Sequence, residues 1–120
     1  LLIESMKQCG AVWKPQVSRP MPLPDCLDTM GDQWSCLFGN LNPDIEPTAV
    51  WKAAETIDLQ SICWCVGPEG DFTPEEYQTL NASSARAVDL GPLVLRAETA
   101  VAGGLSVLGQ WIHFRRQTEA

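Results

Sequence analysis

The sequence predicts an α/β domain whose mainly parallel sheet is flanked by helices. Three observations carry that expectation. Short apolar runs alternate with loops and helical segments along the chain. The most apolar run, Ser61-Ile62-Cys63-Trp64-Cys65-Val66, lacks polar alternation, as strands covered on both faces do. Glycine and proline follow directly on two strand candidates, at Gly67-Pro68 and at Gly91-Pro92. With 120 residues, 45% hydrophobic and 19% charged, the chain suits a single domain with one core.

The elements follow in order. Leu2, Ile3, Met6 and Cys9 recur at a helical period, and Gly10 suits a C-cap, so residues 1–10 read as the last turns of a helix. Residues 13–17 read as a short extended stretch, with Pro15 fitting a strand start or an edge. Pro20, Pro22 and Pro24 punctuate a loop. Residues 25–30 read as a short helix ended by Gly31. Residues 35–38 form a compact apolar run, a buried strand. Residues 40–47, with two prolines and two asparagines, are loop. Thr48 is placed to cap a brief helix through Glu55. After the strand at 61–66, the Gly67-Pro68-Glu69-Gly70 segment breaks the chain direction. Thr73-Pro74-Glu75-Glu76 then opens a helix: Thr73 as N-cap, Pro74 at the first helical position, Glu76 completing a capping box. Ala87-Val88-Asp89-Leu90 is a further strand. Residues 98–116 form a long helix closed by Arg115 and Arg116 against its dipole. Its segment Ala100-Val101-Ala102-Gly103-Gly104-Leu105-Ser106-Val107-Leu108 is small and apolar on more than one face. That predicts burial all round, in part against a second subunit. Gly103-Gly104 costs about 1 kcal/mol per glycine relative to alanine, which points to a very close backbone contact.

Charge and cysteine usage exclude several classes. Eight Lys and Arg against fifteen Asp and Glu give a formal charge of −7. Such a chain is a poor unaided binder of nucleic acid, whose affinity rests on cations meeting phosphates. No apolar run reaches the roughly 18–20 residues that span a bilayer. Residues 1–10 lack the basic start and apolar centre of a signal peptide, and the chain opens on Leu1, as a processed chain or a fragment does. The five cysteines are Cys9, Cys26, Cys36, Cys63 and Cys65, an odd number that argues against a disulfide scaffold. Cys63-Trp64-Cys65 is not the CxxC spacing of zinc or redox sites. In a strand the two thiols share one face, where they read as small packing residues, with no metal expected. The single histidine, His113, reads as a helix-end cation rather than a ligand or base. A Ser/His/Asp triad would need His113 deep in a cleft.

Ligands of open parallel sheets bind beyond the carboxyl ends of the strands. Two loops qualify, residues 67–71 and 91–95. Glycine there lets backbone N–H and C=O groups approach a ligand closely. The same glycines also fit plain strand-to-helix turns. Neither loop is a GxGxxG fingerprint, and the chain has no GK[ST] phosphate loop. Arg96-Ala97-Glu98-Thr99 sets a cation, a carboxylate and a hydroxyl where the second loop becomes the last helix. The acids Glu69, Asp71, Glu75 and Glu76 crowd together, as helix starts allow.

Two blocks are more specific: Val66-Gly67-Pro68-Glu69-Gly70 and Leu90-Gly91-Pro92-Leu93-Val94-Leu95-Arg96-Ala97-Glu98-Thr99-Ala100. Together they resemble the ribosomal RNA small-subunit methyltransferase E family, whose pattern is a GPEGG loop after a strand and LGxxILRxETA before a C-terminal helix. Glu4, Gln8-Cys9-Gly10, Pro15 and Val17 look like that family's EQCG and VP segments. The resemblance therefore spans nearly the whole chain. It implies a SPOUT-type domain over residues 1–120, with a deep C-terminal trefoil knot that composition and periodicity do not reveal. It implies S-adenosyl-L-methionine as cofactor, held by Gly67, Pro68, Glu69 and Gly70 from the first loop and by Leu90, Gly91, Val94, Leu95 and Arg96 from the second. It implies a cytoplasmic homodimer joined through the C-terminal helix, acting at N3 of a uridine in 16S ribosomal RNA. That RNA would be reached through an N-terminal PUA-like domain which, with the first strands of the family, is not visible before Leu1. Arg96 would stabilise charge developing on the uracil oxygens or contact RNA; Glu98 and Thr99 would orient the loop, with Glu98 a weaker catalytic candidate. Three positions depart from the pattern. Asp71 replaces the second glycine of GPEGG, Leu93 an often basic residue, and Ala11 an arginine. Two of these remove a cation. Two alternatives stay open: a knotted dimeric domain that binds cofactor, or only itself, without transferring methyl, and a SPOUT enzyme with another target nucleotide, which would show the same alternation and loops.

Overall fold

In a computed structural model of the chain, the described residues are 15–57, 61–92 and 94–119. The expected helical end at residues 1–10, together with Trp13, Ala11 and Leu93, lies outside them. Pro15 and Val17 are exposed and form no strand. The first element is α1 (Leu23–Met30), which continues into a 3₁₀ turn over Gly31–Gln33. Gly31 caps α1 at φ +56°, a conformation that favours glycine. Then come β1 (Ser35–Gly39), β2 (Thr48–Ala49), α2 (Val50–Ala54), β3 (Ile62–Cys65), α3 (Pro74–Ala82), β4 (Arg86–Asp89) and α4 (Ala97–Glu119).

The four strands lie in the order β2-β4-β1-β3, and every pairing is parallel. The expected class holds: a parallel sheet with helices on its faces. Parallel neighbours need crossovers, and α2, α3 and the intervening loops supply them. Leu37 on β1 and Val88 on β4 are fully buried on one face, against Val50, Ala53 and Ala54 of α2 and Leu108 of α4. Phe38 faces the other side with Tyr77 and Leu80 of α3. The period of two along β1 thus feeds two separate cores.

Three expectations change. Thr48 caps nothing: it pairs with Val88 in β2, and the N-cap of α2 is Ala49 with no side-chain bond. The free edge of β4 competes successfully for that residue. β3 is not fully covered. It pairs with β1 at one end of the described sheet, and all four of its residues are half-buried. The last helix is not buried all round within one chain, because α4 runs along one face of the sheet and presents its far side outward. Gly104 and Leu108 are buried, while Val101, Leu105 and Phe114 are exposed.

The close contact expected at Gly103-Gly104 is present, and it falls on Gly104. A Cβ there would lie 2.2 Å from the Trp64 indole, whereas at Gly103 the nearest atom is 3.6 Å away. The Trp64 Nε1–H donates to the Ala100 carbonyl at 3.1 Å. Glycine thus lets α4 sit directly on β3, one strand residue ahead of the loop at 66–71. The capping box also forms as expected: Glu76 N–H donates to Thr73 Oγ1 at 3.1 Å, and Thr73 N–H to Glu76 Oε1 at 2.9 Å.

Candidate functional site

The C-terminal ends of β1, β3 and β4 open into a cleft of about 520 Å³. That volume is in the range of sites for cofactor-sized ligands, roughly 300–1,000 Å³. The sheet makes the floor with Gly39 and Val88. The loop after β1 contributes Asn40 and Leu41, and the loop after β3 contributes Val66, Gly67, Pro68, Glu69 and Asp71. The segment between β4 and α4 contributes Asp89, Leu90, Gly91, Val94, Leu95 and Arg96, and α4 closes the site with Ala97 and Ala100. A smaller recess of about 290 Å³ adjoins it and shares Asn40, Leu41, Asp89, Gly91 and Val94.

The structure therefore brings Gly67, Pro68, Glu69, Leu90, Gly91, Val94, Leu95 and Arg96 around one space. Gly70 and Glu98 do not line it; Gly70 is exposed in the turn, and Glu98 is exposed in the first turn of α4. Thr99 is likewise exposed on the helix. The resemblance carries Gly70 and Glu98 over within contiguous blocks, with Thr99 beside them to orient the loop. In space one residue of a tight turn points away, and a helix turns its second and third residues off the cleft.

Each loop has its own local cause. In the first, Asp71 takes φ +68°, a left-handed conformation that glycine prefers and Asp or Asn tolerates better than most residues. Its N–H donates to Pro68 O at 2.8 Å and closes the turn. Its carboxylate accepts from Phe72 N at 2.8 Å and from the Tyr77 hydroxyl at 2.7 Å. The same hydroxyl accepts from Leu41 N at 3.2 Å, so Asp71 links the loop after β3 to the loop after β1 through the chain's single tyrosine. Burial and the hydrogen bond to Asp71 push the Tyr77 phenol up from 10.0 to about 12. The departure at Asp71 is thus a substitution with its own function in the fold. Gly67 is needed mainly by the protein: a Cβ there would lie 3.1 Å from Phe72 N.

Gly91 differs. Its φ is +143°, while a Cβ would meet nothing within 4 Å. The glycine is demanded by backbone conformation and leaves open space beside the cleft. Ala100 N–H donates to Arg96 O at 2.8 Å and starts α4, which sets the Arg96 side chain at the exposed rim.

Sequence reasoning missed Gly39, Asn40, Leu41 and Asp89. Asn40 is buried, and its amide donates to Asn42 O at 3.1 Å and to Ile45 O at 3.0 Å, holding the loop at 40–47 in shape. The available signal was an asparagine directly after a buried strand, in a loop with prolines on its far side. His113 is exposed on α4, with its ring nitrogen 3.2 Å from Gln117 Nε2, far from the cleft lining.

A parallel α/β sheet with a ligand-sized cleft at its strand ends, walled by two glycine turns, defines a nucleotide- or cofactor-binding domain. The chain belongs to the RNA methyltransferase domain family, which matches residues 1–109. It is 31% identical over 108 residues to the ribosomal RNA small subunit methyltransferase E of Aquifex aeolicus, covering 90% of this chain and 44% of that protein. The enzyme of the same name from Mycobacterium bovis is 47% identical over 49 residues, 41% of this chain and 19% of the relative. Among solved structures, the ribosomal RNA small subunit methyltransferase E of Neisseria gonorrhoeae bound to S-adenosyl methionine superposes with a TM-score of 0.71 at 26% identity, covering 91% of this chain and 42% of that one. A Legionella pneumophila protein solved with bound SAM gives a TM-score of 0.74 at 28% identity, over 91% and 43% of the two chains. The chain thus spans less than half the length of each of these four relatives.

Proposed function

We propose that this chain is the cofactor-binding and catalytic domain of an S-adenosylmethionine-dependent enzyme that methylates a uridine at N3 in small-subunit ribosomal RNA. The observation that carries the reading is the convergence of residues 66–69 and Asp71 with residues 89–91 and 94–96 on one cleft at the ends of parallel strands. The lining suits the cofactor. Leu90, Val94 and Leu95 offer apolar surface to an adenine, and the main chain at Gly91 is open to a close approach. Glu69, Asp71 and Asp89 outnumber Arg96 among the charged lining residues, a balance that favours a cation. When bound, S-adenosylmethionine supplies a methyl group made electrophilic by its sulfonium.

The protein's own part is positioning and electrostatics. Uridine N3 becomes a nucleophile on losing its proton to solvent water, and the negative charge spreads onto the flanking carbonyl oxygens. Arg96, exposed at the rim of the cleft, stabilises that charge or holds the adjoining phosphate. The adjoining recess, with Asn42 and Asp89 in its wall, receives the base, so that the two reactants share a boundary. Residues 94–96 line the cleft directly before α4, in the part of the chain where the resemblance implies the knot. The exposed Val101, Leu105 and Phe114 of α4 meet a second copy. With a charge of −7, shared by a second copy, the chain leaves most phosphate contacts to residues outside it.

The test is transfer of an isotopically labelled methyl group to small-subunit RNA, followed by nucleoside analysis. Label in N3-methyluridine is expected. Label confined to another nucleoside, or none in RNA while the cofactor still binds, contradicts the proposal.

A further inference from the structure

The face of β3 opposite Trp64 carries a second constellation, remote from the methyl-transfer reading. Cys63 and Cys65 point to this face from β3, and Cys36 joins them from β1, where it is the register partner of Cys63. Cys36 Sγ and Cys65 Sγ are 3.7 Å apart, as are Cys63 Sγ and Cys65 Sγ. All three sulfurs lie within 4.8 Å of one another. Cys26, on α1, is outside this group.

From this geometry we infer that Cys36, Cys63 and Cys65 form a binding site for a thiophilic d¹⁰ cation of the zinc type. A point equidistant from three sulfurs so spaced lies within about 2.4 Å of each, against a zinc–sulfur bond of about 2.3 Å. An ion is therefore reached by all three ligands with little movement of the strands. Soft sulfur donors select zinc or copper(I) over magnesium or calcium. Cys36 is buried and its two partners are half-buried, so the ion has a dry side and an open side, where solvent completes the coordination. The CxC spacing alone hides this site, because two thiols two residues apart on a strand need a third from the neighbouring strand. The cation ties β1 to β3, and its ligand Cys65 directly precedes the loop at 66–71 that walls the cleft. Unlike a pair of packed thiols, it makes the sheet edge responsive to metal supply.

The test uses the whole chain, reduced and freed of metal, titrated with cobalt(II) as a spectroscopic surrogate. We expect a sulfur-to-cobalt charge-transfer band that saturates at one ion per chain and is displaced by zinc. Zinc is also expected to protect Cys36, Cys63 and Cys65 from alkylation, as mapped by mass spectrometry. The band should be lost in Cys63→Ser and in Cys65→Ser, both half-exposed positions whose folding is checked by circular dichroism, and kept in Cys26→Ser. Copper(I) binding at the same three cysteines, without a cobalt band, assigns the site to copper and keeps the inference. It is overturned by alkylation of the three thiols at equal rates with and without zinc or copper(I). It is equally overturned by a band that survives in both serine variants, the mark of an adventitious ion only. Because the alkylation pattern is read on the unmutated chain, a variant that fails to fold leaves the inference testable.

Discussion

The two loops that wall the cleft solve the same problem in opposite ways. Residues 66–71 are braced from within: Asp71 closes the turn on Pro68 and binds Phe72 and Tyr77, while Gly67 lies tight against Phe72. The described residues of the second loop, 90–92 and 94–96, depend instead on Gly91, with φ +143° and open space at its Cα, and on the first turn of α4. Val94 in that loop is 76% exposed. The contrast teaches that similar glycine-proline signals carry different duties. The first loop is a preformed wall whose glycine serves the protein, and the second is the wall whose backbone at Gly91 and whose arginine stand open to the cleft.

If that division is right, the largest effect belongs to the second loop. Arg96→Ala is expected to slow methyl transfer about a hundredfold, the scale of removing one charge-stabilising donor, while cofactor affinity changes less than threefold. The reverse pattern, in paired kinetic and binding measurements, would assign Arg96 to the cofactor. Next comes the helix that carries this loop. Gly104→Ala forces a Cβ into the Trp64 indole and breaks its bond to Ala100. Overpacking of about 3 kcal/mol less about 1 for the better helix former leaves a net loss near 2 kcal/mol in urea unfolding. Equal or greater stability would show that α4 does not rest on β3 as described.

Gly91→Val is expected to weaken cofactor binding about tenfold, or 1.4 kcal/mol, because valine resists a positive φ and crowds the approach. Unchanged affinity would remove Gly91 from the pocket. The smallest effects belong to the braced loop. Tyr77→Phe deletes the hydroxyl between Asp71 and Leu41 and should cost about 1 kcal/mol of stability, with little change in cofactor affinity. The single tyrosine makes its own titration readable as phenolate absorbance. Its folded value of about 12 lies above the ordinary 10.0, so folding favours the neutral phenol. That contribution is complete below pH 10 and is lost as pH rises toward 12. Asp71→Asn should bring the titration down toward the ordinary value.

Much of the fold was legible because local signals agreed with it. The capping box at Thr73 and Glu76 fixed the start of α3, the unbroken apolar run marked β3, and the paired glycines at 103–104 announced a close helix contact. Thr48 misled, since a capping residue is also a good strand residue and only the free edge of β4 decides between them. Within the cleft, blocks were readable but single residues were not. Gly70 and Glu98 belong to the segments that wall the cleft without lining it, while Asn40 and Asp89 enter from strand ends that bear no motif. The three-thiol cluster was hidden for a related reason, since Cys36 and Cys63 become neighbours only through strand register.

The central claim is that the two loops form one preorganised cofactor site. Calorimetric titration of the purified, folded chain with S-adenosylmethionine, and in parallel with S-adenosylhomocysteine, tests it most directly. The account predicts saturable binding of each near one site per chain, weakened by Gly91→Val and spared by Tyr77→Phe. Absence of binding to a chain shown to be folded would contradict it and leave the family relationship as ancestry without the site.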